Sequence, residues 1–248
     1  MDNWWTDLYT PEIAQLLLER QSVDELNATL VFLTAELALR PSSRVFDQCC
    51  GIGSIANPLA SSGIDVIGVD QAAGYIQSAR RAKSNARFEV GDCFEFRAEP
   101  ACDAVINWWT SYGYGDDAQN LDMLRRAFES LVPGGRFALD TMNVPGVIRQ
   151  FQRDVVLTRD TPEGELVLIR RSELDLVAGR MHKVWTTVTP DGRRIEATTS
   201  IRLTMPDKIA AQLGQAGFEN LRFFGDIGGQ PLQIDSPRCI VIADRPKP

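Results

Sequence analysis

Histidine is almost missing from this chain: His182 is the single one in 248 residues. Cys49, Cys50, Cys93, Cys102 and Cys239 show neither paired disulfide spacing nor Cys/His clustering of the zinc type, so no metal site is expected. The thiols read as small strand and turn residues in a reducing cytosol. No apolar run approaches the ~20 residues of a membrane span, and the opening MDNWWTDLY lacks a basic segment followed by an apolar one, so a cytoplasmic location is expected. Basic runs are lacking too. Lys and Arg number 26 against 33 Asp and Glu, a net charge of −7, which disfavours nucleic acid and anionic membranes as partners. A small molecule is the expected ligand, bound by a monomer or a homodimer.

What is present centres on residues 44–70, RVFDQCCGIGSIANPLASSGIDVIGVD. Val45 and Phe46 open an apolar strand ending in Asp47, and Gly51 and Gly53 follow where strand must turn into helix. Ile55, Ala56, Leu59 and Ala60 have helical spacing, Gly63 stops the helix, and Val66–Val69 is a buried-strand run ending in Asp70. Parallel strands aim their carboxyl ends at one crevice, where a helix N-terminus also offers free N–H groups, so an adenosine-type ligand is expected there. An acid after the second strand suits a ribose diol. GIGSIA also satisfies the dinucleotide pattern with Ala in third place, so a nicotinamide-dependent oxidoreductase is an alternative. Asp47 argues against it, because a carboxylate four residues before the first glycine repels a pyrophosphate and welcomes an ammonium.

Through D-x-x-x-G-x-G at Asp47 to Gly53, the acid Asp70 and a later Gly91-Asp92, the chain resembles the class I S-adenosylmethionine-dependent methyltransferases of small-molecule type. The resemblance implies an α/β fold: a three-layer αβα sandwich on a seven-stranded, mostly parallel sheet whose last strand is antiparallel. It implies S-adenosyl-L-methionine as cofactor and S-adenosyl-L-homocysteine as product. Cofactor contacts are expected from Asp47, Cys49, Gly51, Gly53, Asp70, Gln71, Gly91, Asp92, Cys93, Asn107 and Trp108.

Residues 1–40 carry two helical patterns, Pro11–Arg20 and Val23–Leu39, behind an aromatic start, and form an expected arm or lid. Trp4, Trp5 and Tyr9 either pin that arm or close over the ligand. The core is expected over 41–143 and 204–248. After the fourth strand, Asp103–Asn107, the loop Trp108-Trp109-Thr110-Ser111-Tyr112-Gly113-Tyr114 falls at the cofactor's reactive end; one tryptophan is expected in the core and the other toward the site. Tyr112 and Tyr114 add to an aromatic wall and favour a sulfonium by cation–π attraction. Family members that methylate nucleic-acid bases have two prolines after the Asn or Asp here; this chain has Trp-Trp. Residues 144–203 show four stretches of alternation or β-branched enrichment, an antiparallel insertion after the fifth strand expected to cover the substrate pocket. Its candidates are Glu173, His182, Trp185 and Arg202.

Methyl transfer from a sulfonium needs chiefly alignment and exclusion of water. An amine acceptor needs only to be unprotonated, whereas a hydroxyl needs a base, for which His182 or a carboxylate is the candidate; Tyr9 of the arm is a further candidate catalytic residue. With one histidine available, transfer to nitrogen of a small, ring-containing secondary metabolite is preferred over oxygen. A module that binds the methyl donor without catalysis is a further alternative.

Overall fold

A computed structural model of the chain describes residues 4–18 and 22–247. Strand β1 (Arg44–Gln48) is buried at four of its five residues, as a central parallel strand covered on both faces must be. It pairs in parallel with β2 (Asp65–Asp70) on one side and β4 (Cys102–Asn107) on the other. With β3 (Arg87–Val90), β5 (Leu131–Thr141), β10 (Glu219–Phe224) and β11 (Cys239–Asp244) these form a seven-stranded sheet of order β10-β11-β5-β4-β1-β2-β3. β11 runs antiparallel to both neighbours, β10 and β5.

Alternation along the strands divides the core. Val45, Val66, Ala104, Ile106, Ala138 and Ile242 meet Phe32 and Leu33 of α3 (Val23–Glu36), Ala56 and Leu59 of α4 (Ala56–Ser61), and Ile76 and Ala79 of α5 (Ala73–Arg81). Phe46, Val105, Phe137, Leu139 and Val241 meet Met123 and Leu124 of α6 (Asp117–Glu129) and Ile209 and Leu213 of α8 (Pro206–Ala216) on the other face. This is the expected three-layer α/β sandwich. Asp116 starts α6 through a full capping box with Gln119.

Between β5 and α8 a separate four-stranded antiparallel sheet runs β6 (Asp154–Thr161), β7 (Gly164–Asp175), β8 (Arg180–Val188), β9 (Arg194–Arg202). One face carries Leu166, Leu168, Met181, Trp185, Thr199 and Ile201, all buried, while alternate positions are largely exposed. A short helix α7 (Val144–Arg149) enters this insertion. Only strands were expected over 144–203; proline is tolerated at a helix's first positions.

The N-terminal arm consists of α1 (Trp5–Leu8), α2 (Pro11–Ile13) and a π-helical turn, Ala14–Leu18. The last two residues of the helix expected over Pro11–Arg20 lie outside the described residues. Leu8, Ile13 and Leu16 pack against Leu166, Leu168 and Trp185, so the arm lies between the core and the inserted sheet.

Candidate active site

At the carboxyl ends of β1, β2 and β4 opens a cleft of about 740 Å³, the part open to solvent included. Its floor is the β1–α4 turn, with Cys49 (φ +63°) and Gly51 (φ +55°) in left-handed conformations. A Cβ on Gly51 would meet only Leu18 Cδ1, at 3.6 Å, so the backbone there faces open space. Asp70 pins the turn: its Oδ2 accepts from the Gly51 N–H at 2.9 Å and its Oδ1 from the Ala72 N–H at 2.9 Å. Each oxygen keeps a lone pair for a ligand hydroxyl. Burial raises the Asp70 pKa against these two donors, which lower it.

Aromatic rings wall the cleft. Trp5, Tyr9, Tyr75, Phe94, Trp108, Trp109 and Tyr114 line it, and no Lys or Arg is among the described lining residues. The Tyr9 hydroxyl is hydrogen-bonded to the Tyr114 hydroxyl, joining arm to core, and the two rings stack at 6.1 Å between centroids. Burial, then the neighbouring Tyr114, holds the Tyr9 pKa well above its ordinary value. Its hydroxyl therefore stays protonated, and abstraction of a proton by Tyr9 does not suit this surrounding.

Cys49, Gly51, Asp70, Gln71, Gly91, Cys93 and Trp108 all line the cleft. Four other residues expected to touch the cofactor do not. Gly53 packs into the core, where a Cβ would lie 2.7 Å from Asn57 Nδ2 and 3.0 Å from both Ala79 Cβ and Phe88 Cζ; glycine serves helix packing there. Asn107 is wholly buried, and its Nδ2 donates to Gln48 Oε1 at 3.1 Å. Asp92 is exposed and accepts from the Phe94 N–H at 2.8 Å, beside the cleft. Asp47 is 2% exposed beneath the turn, and its Oδ2 has no hydrogen-bond partner among the described residues. Burial first, and the Asp70 charge second, push its pKa up to about 8.

The substrate candidates also divide. Both tryptophans after β4 line the cleft, so the expected split into one core ring and one site ring is not what the structure has: Trp108 belongs to the core and the cleft at once. Trp109 and Thr110 are both left-handed, at φ +61° and +66°. Their N–H groups donate to Asp140, Trp109 to Oδ2 at 2.9 Å and Thr110 to the backbone oxygen at 3.1 Å. Arg238 holds that carboxylate from the other side, with Nε donating to Oδ1 at 2.7 Å. Tyr112 turns away into the α6/α8 core and donates to Gln212. Arg202 likewise leaves the site, bound to Asp117 and to the carbonyls of Ala178 and Gly179.

Two larger cavities open between the arm, the core and the inserted sheet. Trp4 and Tyr114 line both. One takes Glu173 and the exposed His182; the other takes Trp185, Trp109 and Tyr9. His182 and Trp185 stand three residues apart on one strand and so point to opposite faces, which makes them incompatible as one set. The residue on Trp185's side is Lys183, which the sequence reading passed over. Alternation from Trp185 was the available signal. Ser111, Phe94 and Tyr75 also line the cleft and were not among the candidates; Tyr75, buried on α5, reaches the cleft edge.

Residues 45–135 match the family model described as "Methyltransferase domain". Over that stretch the chain is similar to methyltransferase domains, and its sheet order is that of the class I fold. Demethylmenaquinone methyltransferase of Beutenbergia cavernae is 28% identical over 110 residues, 44% of this chain and 45% of that protein. A 23S rRNA (uracil(1939)-C(5))-methyltransferase of Thiobacillus denitrificans is 37% identical over 65 residues, 24% of this chain and 15% of its own. The chain thus spans less than half the length of these curated relatives that it matches. The sugar N-methyltransferase KedS8 from Streptoalloteichus shares the fold with a TM-score of 0.77 at 19% identity, covering 96% of this chain and 94% of that one. S-adenosylmethionine is the cofactor of this methyltransferase class, and the seven-stranded sheet with its antiparallel last strand is its Rossmann-like core.

Proposed function

We propose that the protein transfers the methyl group of S-adenosylmethionine to a nitrogen of a small, ring-containing metabolite. The observation that carries this reading is the make-up of the cleft: bare backbone at Gly51, the single lining carboxylate Asp70, seven aromatic rings and no basic side chain. That set suits a cationic nucleoside better than a diphosphate. The unpartnered, buried Asp47 Oδ2 adds negative potential beneath the turn, on the side where an ammonium is favoured.

S-adenosylmethionine supplies an electrophilic methyl on a good leaving group. The chain's own part is to hold and to dry the site. Asp70 and Gln71 take the ribose side, Gly91 and Cys93 with neighbouring Asp92 the adenine side, and Gly51 with Cys49 the amino-acid side. Trp5, Tyr9 and Tyr114 exclude water and face the sulfonium, where their π-faces attract positive charge. Residues 1–40 serve as the lid, and 144–203 cover the acceptor. An aromatic, low-dielectric surrounding disfavours a charged amine, so it keeps a nitrogen acceptor nucleophilic. Nitrogen is preferred over oxygen because His182 is exposed and does not line the methyl-donor cleft, and Tyr9 stays protonated. KedS8 is named a sugar N-methyltransferase, which agrees. The match to the rRNA enzyme spans too little of either chain to carry a substrate, and the net charge of −7 opposes RNA.

Calorimetric titration with S-adenosylhomocysteine and with NAD tests the reading. Saturable binding of the first and none of the second is expected; tighter binding of NAD would overturn it. Methyl transfer to a panel of amine and phenol acceptors separates an enzyme from a binding module.

A further inference from the structure

The inner face of the inserted sheet segregates charge. Its ionisable side chains are Arg159, Arg170 and Lys183, with no acid, whereas Asp154, Asp160, Glu165, Glu173, Asp175 and Glu196 all occupy the opposite set of alternating positions. In a chain with a net charge of −7 that is a local reversal of sign. Lys183 borders all three cavities that lie between this sheet and the rest of the molecule. Its Nζ lies 5.5 Å from the centre of the Trp185 ring, and it makes no ion pair among the described residues. Directly opposite it in the β7–β8 register stands Ser172, 5% exposed, whose Oγ is buried without a partner among the described residues. A buried unpartnered hydroxyl beside an unpaired ammonium costs stability unless a ligand satisfies both.

We propose that Lys183 Nζ and Ser172 Oγ, over the Trp185 ring, form an anion site that takes a carboxylate or phosphoryl group of the methyl acceptor. This rests on the acceptor lying between the cleft and the inserted sheet, as under Proposed function. Such a group accepts charge-assisted hydrogen bonds from both donors, while the adjacent tryptophan takes an apolar ring. The anchor lies away from the methyl-donor cleft, so it orients the acceptor without competing for that cleft.

Burial, and then the charge of Arg170, bring the Lys183 pKa down to about 8. The other charged or titratable groups facing these cavities are Glu25 from α3, Asp235 and Arg238 from the β10–β11 connection, Glu173, Arg171 and His182 from the sheet, Arg153 before it, and the phenols of Tyr9 and Tyr114. Asp235 pairs with Arg149 and Arg238 with Asp140. An anion favours the charged ammonium, so binding takes up protons, and affinity falls as pH rises through about 8.

The test uses the full chain saturated with S-adenosylhomocysteine. Acylation by acetic anhydride is followed by peptide mass spectrometry, with Lys83, Lys208 and Lys247, the other three lysines, as internal references. Benzoate or pyrophosphate is expected to slow labelling of Lys183 alone, and which of the two does so identifies the group as carboxylate or phosphoryl. In Lys183→Met, affinity for the protecting anion should fall about tenfold or more, with S-adenosylhomocysteine affinity as in the wild type. A wild-type chain that binds S-adenosylhomocysteine yet shows no protection by either anion overturns the anion site. A chain that does not bind S-adenosylhomocysteine refutes the methyltransferase reading instead.

Discussion

Asp47 is the residue at which stability and ligand preference pull against each other. Its folded pKa, about 8, lies above the ordinary carboxylate value. A raised folded pKa means that the folded state binds the proton more tightly; the associated stability is full below about pH 4 and is lost as pH rises through about 8. Ligand-free protein is therefore expected to melt at progressively lower temperature from pH 5 to pH 8, and Asp47→Asn to flatten that profile and raise the melting temperature at pH 8. The same substitution should weaken S-adenosylhomocysteine binding. A profile unchanged by Asp47→Asn would refute the assignment. Asp70→Ala is expected to cost about 1–3 kcal/mol of S-adenosylhomocysteine affinity, measured by calorimetry, since it unpairs ligand hydroxyls and frees the Gly51 N–H. At this scale Asp47 and Asp70 were legible because a strand-end acid before a glycine turn has few other readings. Asn107 and Tyr112 were not: whether a strand-end or loop side chain turns into the crevice or into the sheet depends on partners such as Gln48 and Gln212, distant in sequence.

Among elements, the loop after β4 depends on one ion pair. Asp140, wholly buried, holds the left-handed Trp109 and Thr110 through two hydrogen bonds and is itself held by Arg238, whose guanidinium also lies 5.4 Å from the centre of the Trp108 ring. Left-handed non-glycine residues cost of the order of 1–3 kcal/mol each and persist only where surroundings impose them. Arg238→Met leaves a buried charge unpaired, so a loss of about 3–5 kcal/mol in denaturant unfolding is expected, together with a changed tryptophan fluorescence. An unaltered unfolding midpoint would contradict it. None of this was legible in advance, because Asp140 and Arg238 are 98 positions apart. β5 runs from Leu131 through Pro133, Gly134 and Gly135 to Thr141, a stretch in which proline and glycine mark a break by sequence alone.

For the molecule as a whole, the resemblance carried by the order of motifs implied a three-layer sandwich, and the alternation over 144–203 an inserted antiparallel sheet; both are present. The arm's position was open until Leu8, Ile13 and Leu16 were seen against the inserted sheet. With Trp5 and Tyr9 lining the cleft, amide exchange across residues 4–18 is expected to slow several-fold when S-adenosylhomocysteine binds, by mass spectrometry. Exchange that is indifferent to the ligand would mean that the arm is only a structural brace.

The phenol-to-phenol bridge between Tyr9 and Tyr114 has one more implication. Were the arm the proposed lid, a spent nucleoside would leave no faster than the bridge unfastens, and added glycerol or sucrose would throttle steady-state turnover while leaving the transfer step within a single loaded site untouched.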